Sequence, residues 1–228
     1  MIGKKSVSAI ILAAGNSTRF GKNKNKNFEL LDNKPVLTFS IEAFDKNKYV
    51  DEIIIAAKKV EISIIKKILI SLSLSKPVKL VLGGNTRKES VYNCLCSSDS
   101  DIVIIHDGAR PLIKQEYINN CIENMSKYKG VTIGVKSKDT IKITNSEGII
   151  INTTNRDSTW LIQTPQCFDK QVLIKSHLKH QNDVVTDDCS LLEKDGFEVL
   201  IIQGDYSNIK ITTSEDLNIV RELYKIIN

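Results

Sequence analysis

The sequence predicts an α/β fold built on a mostly parallel β-sheet with helices on both faces and a protruding β-hairpin arm. Two observations carry the sheet. Short, nearly continuous apolar runs rich in β-branched residues recur along the chain, as expected of strands covered on both sides, and segments of helical spacing separate most of them. A third observation, one stretch that alternates with a period of two around a turn, carries the arm.

Taken in order, the strands are "VSAIIL" from Val7, "EIIIAA" from Glu52, "VKLVL" from Val78, "DIVIIHD" from Asp101, "VTIGV" from Val131 and "EVLIIQ" from Glu198. Helices are expected over Val36 to Asp45, Glu61 to Leu74, Arg87 to Ser97 and Gln115 to Tyr128. A last helix runs from Ser214 to Ile227, with Ser214 as its N-cap and Asp216 in the first turn. The stretch Thr140 to Thr154 pairs two β segments around "NSEG" and reads as a hairpin. A lone two-stranded arm is marginal in water, so it is expected to pack on something, and a second subunit is the candidate.

Length and composition set the frame. With 228 residues, 41% hydrophobic and 26% charged, the chain suits one core and shows no proline-rich, glycine-rich or acidic tract that would signal disorder. A net charge of +5 fits a nucleic acid, a membrane surface or a small anionic substrate about equally. The five cysteines are odd in number and lack a C-x-x-C pair, which argues against a disulfide framework or structural metal and for reduced thiols in the cytoplasm. Lys4 and Lys5 before Val7 to Ala14 mimic a signal peptide, but the run is short and reads better as a buried strand. No stretch approaches the ~18 apolar residues of a membrane span.

Four strand ends carry polar residues that packing alone would not request. After the first strand, "AAGNSTRFGKNKNKNF" is neither a Walker A loop nor a G-x-G-x-x-G turn. Its small residues still let backbone N–H groups approach a phosphate, and Arg19 and Lys26 bring charge; the alternative is a solvated basic loop. In "HDGARP", Asp107 at a buried strand end is either a Mg²⁺ ligand or a partner of Arg110, which otherwise offers a bidentate clamp for an anion. His106 reads as structural, its side chain directed away from that of Asp107. The paired glycines of "GGNTRKES" serve either a flat ligand or a tight turn. In "NIKIT", Lys210 sits inside a β pattern and faces either solvent or a pocket.

Together with "DT" at Asp139, "NRDSTWLIQTPQCF" and "TDDCSLLE", these pieces in this order resemble the 2-C-methyl-D-erythritol 4-phosphate cytidylyltransferases of the non-mevalonate isoprenoid pathway. The resemblance covers the whole chain. It implies a single Rossmann-like nucleotidyltransferase domain over residues 1–228, with a β-arm insertion at about 137–158 through which the enzyme forms a homodimer. It also implies transfer of CMP from CTP to methylerythritol phosphate, with Mg²⁺ or another divalent cation.

By resemblance, Arg19 and Lys26 stabilise charge at the α-phosphate. Ala13, Ala14 and Gly15 form the triphosphate turn, and Gly84, Asn85, Arg87 and Ser90 form or flank the cytosine pocket. Asp107 lies at the metal and the acceptor phosphate, with Arg110, Thr164 and Lys210 around the acceptor, while Thr140 and Arg156 sit on the arm and reach into the partner's site. Trp160 is expected to pack near the site. The chain departs from the usual P-K-Q at Asn25-Lys26-Asn27, which is expected to leave the loop more mobile without CTP. Lys22 and Lys24 are read as solvated. A related alternative is a ribitol 5-phosphate cytidylyltransferase. A nucleic-acid-binding module is disfavoured because the basic stretch from Arg19 to Lys26 holds a single aromatic, Phe20.

Overall fold

A computed structural model describes residues 5–20 and 25–227. The first strand, β1 (Val7–Leu12), runs into the basic loop, a short turn at Lys26–Phe28 and a tight hairpin of β2 (Leu30–Leu31) and β3 (Lys34–Pro35). Asp32 and Asn33 take positive φ in that hairpin (47° and 61°), a conformation their short polar side chains tolerate. Then follow α1 (Val36–Asp45), β4 (Glu52–Ala57), α2 (Ile62–Ser71), β5 (Val78–Leu82), α3 (Arg87–Ser97), β6 (Ile102–Asp107), α4 (Gln115–Asn124) and β7 (Gly130–Lys136). The arm strands β8 (Lys142–Thr144) and β9 (Ile150–Thr153) precede β10 (Trp160–Asp169), α5 (Lys170–Lys179), α6 (Cys189–Lys194), β11 (Val199–Gln203) and α7 (Ser214–Ile227).

Seven strands form the main sheet in the order β11-β7-β10-β6-β1-β4-β5. Six run parallel, and β10 alone is antiparallel to both its neighbours, β6 and β7. The chain winds outward from β1 through β4 to β5, then returns to the other side of β1 with β6. That reversal opens a crevice at the carboxyl ends of β1 and β6, where Leu12 and Asp107 stand in register.

Alternation along the strands feeds two cores. Ala9 and Ile11 of β1, with Ile53 and Ile55 of β4, pack against α1, α2 and α4 through Leu37, Ile41, Phe44, Ile65, Ile118 and Ile122. Ile10, Ile54, Val103 and Ile105 point the other way onto Val91, Leu95, Leu173, Leu191 and Leu192 of α3, α5 and α6. A smaller cluster pins α7, through Leu217 and Val220, to Leu31, Val36, Ala109, Leu112 and Ile211. No helix among the described residues is long and apolar enough to cross a membrane.

Three expectations need correction. The second helix begins at Ile62 after a 3-10 turn and ends at Ser71, because Leu72 turns extended ahead of Pro77. The fourth ends at Asn124 and continues only as turns. "NIKIT" is not a strand: it forms no ladder and lies against the loop after β6 and against Thr164 of β10. It is fixed instead by Ile211 N–H donating to Ala109 O at 2.9 Å and by the buried Asn208 side chain donating to Thr164 O at 3.0 Å. The antiparallel β10 had no place in the predicted strand list, since its run mixes polar and apolar residues and carries a register shift between Ile162 and Gln166.

Candidate active site

The crevice holds a cavity of about 540 Å³. Its described lining includes five cations, Arg19, Lys26, Lys58, Arg87 and Lys210, and one carboxylate, Asp107. Such an imbalance destabilises the empty cleft and favours a polyanion within it.

The first wall comes off β1. Ala13, fully buried, extends the sheet by donating its N–H to Ala56 O at 2.9 Å; Ala14, Gly15, Asn16, Ser17, Thr18 and Arg19 then line the cleft. Ser17 takes a φ of 51°, uncommon for a residue with a side chain, which turns the loop sharply. Lys26 returns on the short turn Lys26–Phe28, capped by Asn25, whose Oδ1 accepts from Asn27 N–H at 3.0 Å. Burial, then the charge of Lys210, lowers the Lys26 pKa to about 8; Asp107 opposes the shift, and Arg19 and Arg110 add to it.

The second wall is the glycine pair before α3. A Cβ on Gly83 would lie 2.4 Å from Ala14 Cβ, and one on Gly84 would lie 2.2 Å from Glu89 Cβ, so the glycines serve close packing of this turn against its neighbours. Ser90 lines the cleft, yet its hydroxyl is engaged within the turn, accepting from Gly84 N–H at 3.0 Å and donating to Thr86 O at 2.9 Å. Asn85 likewise donates its N–H to Glu89 Oε2 at 2.8 Å. Arg87 is held by Asp188, with Nη1 2.6 Å from Oδ2. Asp188 is fully buried and also meets His177 Nε2 at 3.1 Å. Burial resists ionisation of Asp188, but Arg87 and His177 bring its pKa below the usual carboxylate value.

The third wall is the end of β6. Asp107 Oδ2 lies 2.9 Å from Lys210 Nζ and 3.4 Å from Arg110 Nε. Burial alone would raise the Asp107 pKa; Lys210, Arg110 and Arg87 together hold it well below the usual carboxylate range. Arg110 also donates from Nη1 to Asn208 O at 2.8 Å. Thr164 Oγ1 accepts from Asp107 N–H at 3.0 Å and lies 3.1 Å from His106 Nδ1; because Arg110 O, on the other ring nitrogen, can only accept, the proton of the neutral ring sits on Nε2 and the Thr164 hydroxyl donates to Nδ1. Nε2–H of His106 donates to Arg110 O at 3.1 Å. His106 is thus a neutral, fully buried strut, its pKa lowered to about 4 chiefly by burial.

A family model described as IspD, 2-C-methyl-D-erythritol 4-phosphate cytidylyltransferase, matches residues 7–224. The chain belongs to this family. It is 44% identical to the 2-C-methyl-D-erythritol 4-phosphate cytidylyltransferase of Caldanaerobacter subterraneus subsp. tengcongensis, over 96% of this chain and 98% of the relative. Identity to the protein of the same name from Clostridium tetani is 43%, over 96% of this chain and 91% of the relative. Among solved structures, 4-diphosphocytidyl-2C-methyl-D-erythritol synthase from Anaerococcus prevotii superposes with a TM-score of 0.86 at 35% identity, covering 97% of this chain and 99% of that one.

Of the residues picked from sequence in this IspD-family chain, Ala14, Gly15, Arg19, Lys26, Gly84, Asn85, Arg87, Ser90, Asp107 and Lys210 line one cleft. Ala13, Arg110 and Thr164 stand just behind it, buried. Thr140 and Arg156 do not join them: both are exposed on the arm and its base. Trp160 also lies away from the cleft, at the start of β10 beside Lys136, whose Nζ is 5.9 Å from the ring centre. Lys22 and Lys24 lie outside the described residues. Sequence reasoning missed Lys58 and Asp188. The aspartate pair of "TDDCSLLE" was a visible signal for Asp188, while Lys58 follows an apolar strand with no motif around it.

Proposed function

We propose that this chain transfers CMP from CTP to 2-C-methyl-D-erythritol 4-phosphate, giving 4-diphosphocytidyl-2-C-methyl-D-erythritol and pyrophosphate. The observation that carries the proposal is the convergence of Lys26, Arg19 and Lys210 on the β1–β6 crevice of an IspD-family chain, opposite the glycine turn before α3. The acceptor's phosphate oxygen attacks the α-phosphorus in line, the P–O bond to the β-phosphate breaks, and pyrophosphate leaves with the electron pair. A phosphate monoester has its second pKa near ~6 and is already ionised at neutral pH, so no general base is required. That agrees with a cleft lined by no histidine among the described residues.

The backbone of Ala14 and Gly15 would face the triphosphate, while Ala13, expected there from the sequence, spends its N–H on Ala56 O and its C=O on Asn27 and so anchors the turn from behind; Arg19 and Lys26 would meet charge growing on the α-phosphate. Gly84, Asn85 and Ser90 would shape the base pocket, with Arg87, held by Asp188, beside it. Lys210 would hold the acceptor phosphate, with Arg110 and Thr164 fixing the wall behind it. Asp107 suits Mg²⁺ as a single carboxylate: Oδ2 is paired, whereas Oδ1 has no hydrogen bond or ion pair among the described residues. Among those residues there is no cluster of three or more His, Cys, Asp or Glu, which fits a cation carried mainly by phosphate oxygens and water. Bound there, the cation would neutralise charge on the triphosphate.

One nucleotidyltransferase domain with an arm at about 137–158 would act as a cytoplasmic homodimer. Ile143, Ile149, Ile150 and Ile151 on the arm are 48–66% exposed, an apolar surface that a second subunit would cover and that would place Thr140 and Arg156 at the partner's cleft. Pyrophosphate release measured with CTP, Mg²⁺ and each alcohol phosphate tests the proposal. Turnover with methylerythritol phosphate is expected, and turnover with ribitol 5-phosphate alone would overturn it.

A further inference from the structure

We infer, on the basis of the transferase function proposed above, that Asn25 and Glu61 form a brace that positions Lys26 in the cleft. Lys26 sits between two asparagines tied to different strand ends. Asn27, 3% exposed, donates from Nδ2 to Ala13 O at 3.1 Å, at the end of β1. Asn25 donates from Nδ2 to Glu61 Oε1 at 2.7 Å, and Glu61 belongs to the 3-10 turn that follows β4. The other end of the Asn25 amide caps the lysine turn: Oδ1 accepts from Asn27 N–H at 3.0 Å and from Ser17 Oγ at 3.3 Å. One side chain thus ties the first-wall turn, the lysine turn and the β4 exit together.

The brace answers a specific electrostatic difficulty. Lys210, Arg19 and Arg110 repel the Lys26 ammonium and Asp107 alone attracts it; with burial added, the empty cleft disfavours the charged side chain, and an outward swing of the turn would relieve that cost. A hydrogen bond from Asn25 to a carboxylate that is 7% exposed is charge-assisted and roughly twice as strong as a neutral one, and it opposes that swing. Glu61 is itself anchored, its N–H donating to Lys58 O at 2.9 Å, and its Oε1 lies 3.8 Å from Lys58 Nζ, a cation that also lines the cleft. Asn25 and Glu61 are positioning residues, since neither lines the cavity.

The test exchanges donor and acceptor across the brace. Asn25→Asp keeps an oxygen to cap the turn but sets a second carboxylate against Glu61. It is expected to lower kcat by ~10- to 100-fold, the scale of misplacing a reacting group by about 1 Å, with KM for CTP within about 3-fold. Adding Glu61→Gln restores a donor facing an acceptor and is expected to recover most of that kcat at an unchanged thermal midpoint. An unaltered kcat in Asn25→Asp, or a double variant no better than the single one, would overturn the brace. Labelling of Lys26 by an amine-reactive reagent at pH 8, read by mass spectrometry, tests the brace apart from turnover. Faster labelling in Asn25→Asp, reversed in the double variant, is expected, and equal rates would overturn the brace even if wild-type turnover were absent.

Discussion

The two sides of the cleft are built in opposite ways. Around β6 and β10, Asp107, Arg110 and Thr164 are each under 9% exposed and interlock through His106 and Asn208, so their positions are decided by the core. Across the cleft, Arg19 is exposed and Lys26 half-buried, on a loop anchored chiefly by the Asn25 and Asn27 side chains. On the first side every described charge has a partner. On the second, Arg19 and Lys26 have no ion pair among the described residues. The difference teaches where ligand binding would act: the β6–β10 wall is held by its own pairings, and the loop carries charge that a bound polyanion would neutralise.

Breaking the loop side should have the largest effect. Lys26→Ala is expected to lower kcat by ~10²- to 10³-fold with little change in KM for CTP, as for loss of a donor that strengthens in the transition state. Steady-state kinetics would check this, and an unchanged kcat would shift the role to another lysine of the loop.

Breaking the wall should cost both activity and stability. Asp107→Asn leaves Arg110 buried without its carboxylate, and Lys210, whose side chain is 38% exposed, partly solvated. Loss of a buried partner costs ~3–5 kcal/mol; discounted for that exposure to about 1–3 kcal/mol, the thermal midpoint should fall by ~2–4 °C per kcal/mol. Calorimetry showing no shift would mean that the wall does not depend on this ion pair.

Arg156→Ala probes whether the comparison extends across two subunits. Its expected effect is a weaker acceptor step, and mixing it with a Lys26→Ala protein should restore part of the activity if each cleft borrows an arm. Mixtures no more active than either parent would confine both sides to one chain.

The smallest effect is a pH dependence that separates the two sides. The acceptor phosphate is ionised above its second pKa of ~6, so a decline in kcat/KM for CTP as pH rises through about 8 would report Lys26 losing its proton in the free enzyme. CTP binding near pH 8 should then take up protons, measurable by calorimetry in buffers of different ionisation enthalpy. The folded pKa lies below the unfolded one. Between about 8 and the ordinary lysine value the unfolded chain therefore binds more protons, and this side chain's contribution to stability rises with pH. A flat profile from pH 7 to 9 would mean that the loop cations are compensated as fully as the wall.

Much of this was legible in the residues. The first, third and last helices and the first three strands span the residues that periodicity gives them, because their alternation or 3.6-residue spacing is local information; the cap of the last helix differs, since Ser214 is its first residue and Thr213 caps it, Oγ1 accepting from Asp216 N–H at 3.3 Å. Ten of the residues singled out from sequence line one cleft, because strand ends in a parallel sheet gather there whatever lies between them in the chain. Less legible were β10, whose polar and apolar residues blur the pattern, and "NIKIT", whose alternation mimics a strand.

The sequence by itself determined the class of fold, the hairpin and the order of the polar strand ends, since each depends on neighbours a few residues apart. Only the tertiary structure decided which groups spend their hydrogen bonds on one another. His106 is neutral because it is fully buried, and its ring is held between Thr164, 58 residues away, and Arg110 O; Arg87 is fixed by Asp188, 101 residues on; and Lys26 is steadied by an asparagine bonded to Glu61. Those pairings follow from burial, which makes an unpaired polar group costly, and burial is a property of the packed chain rather than of any stretch of it.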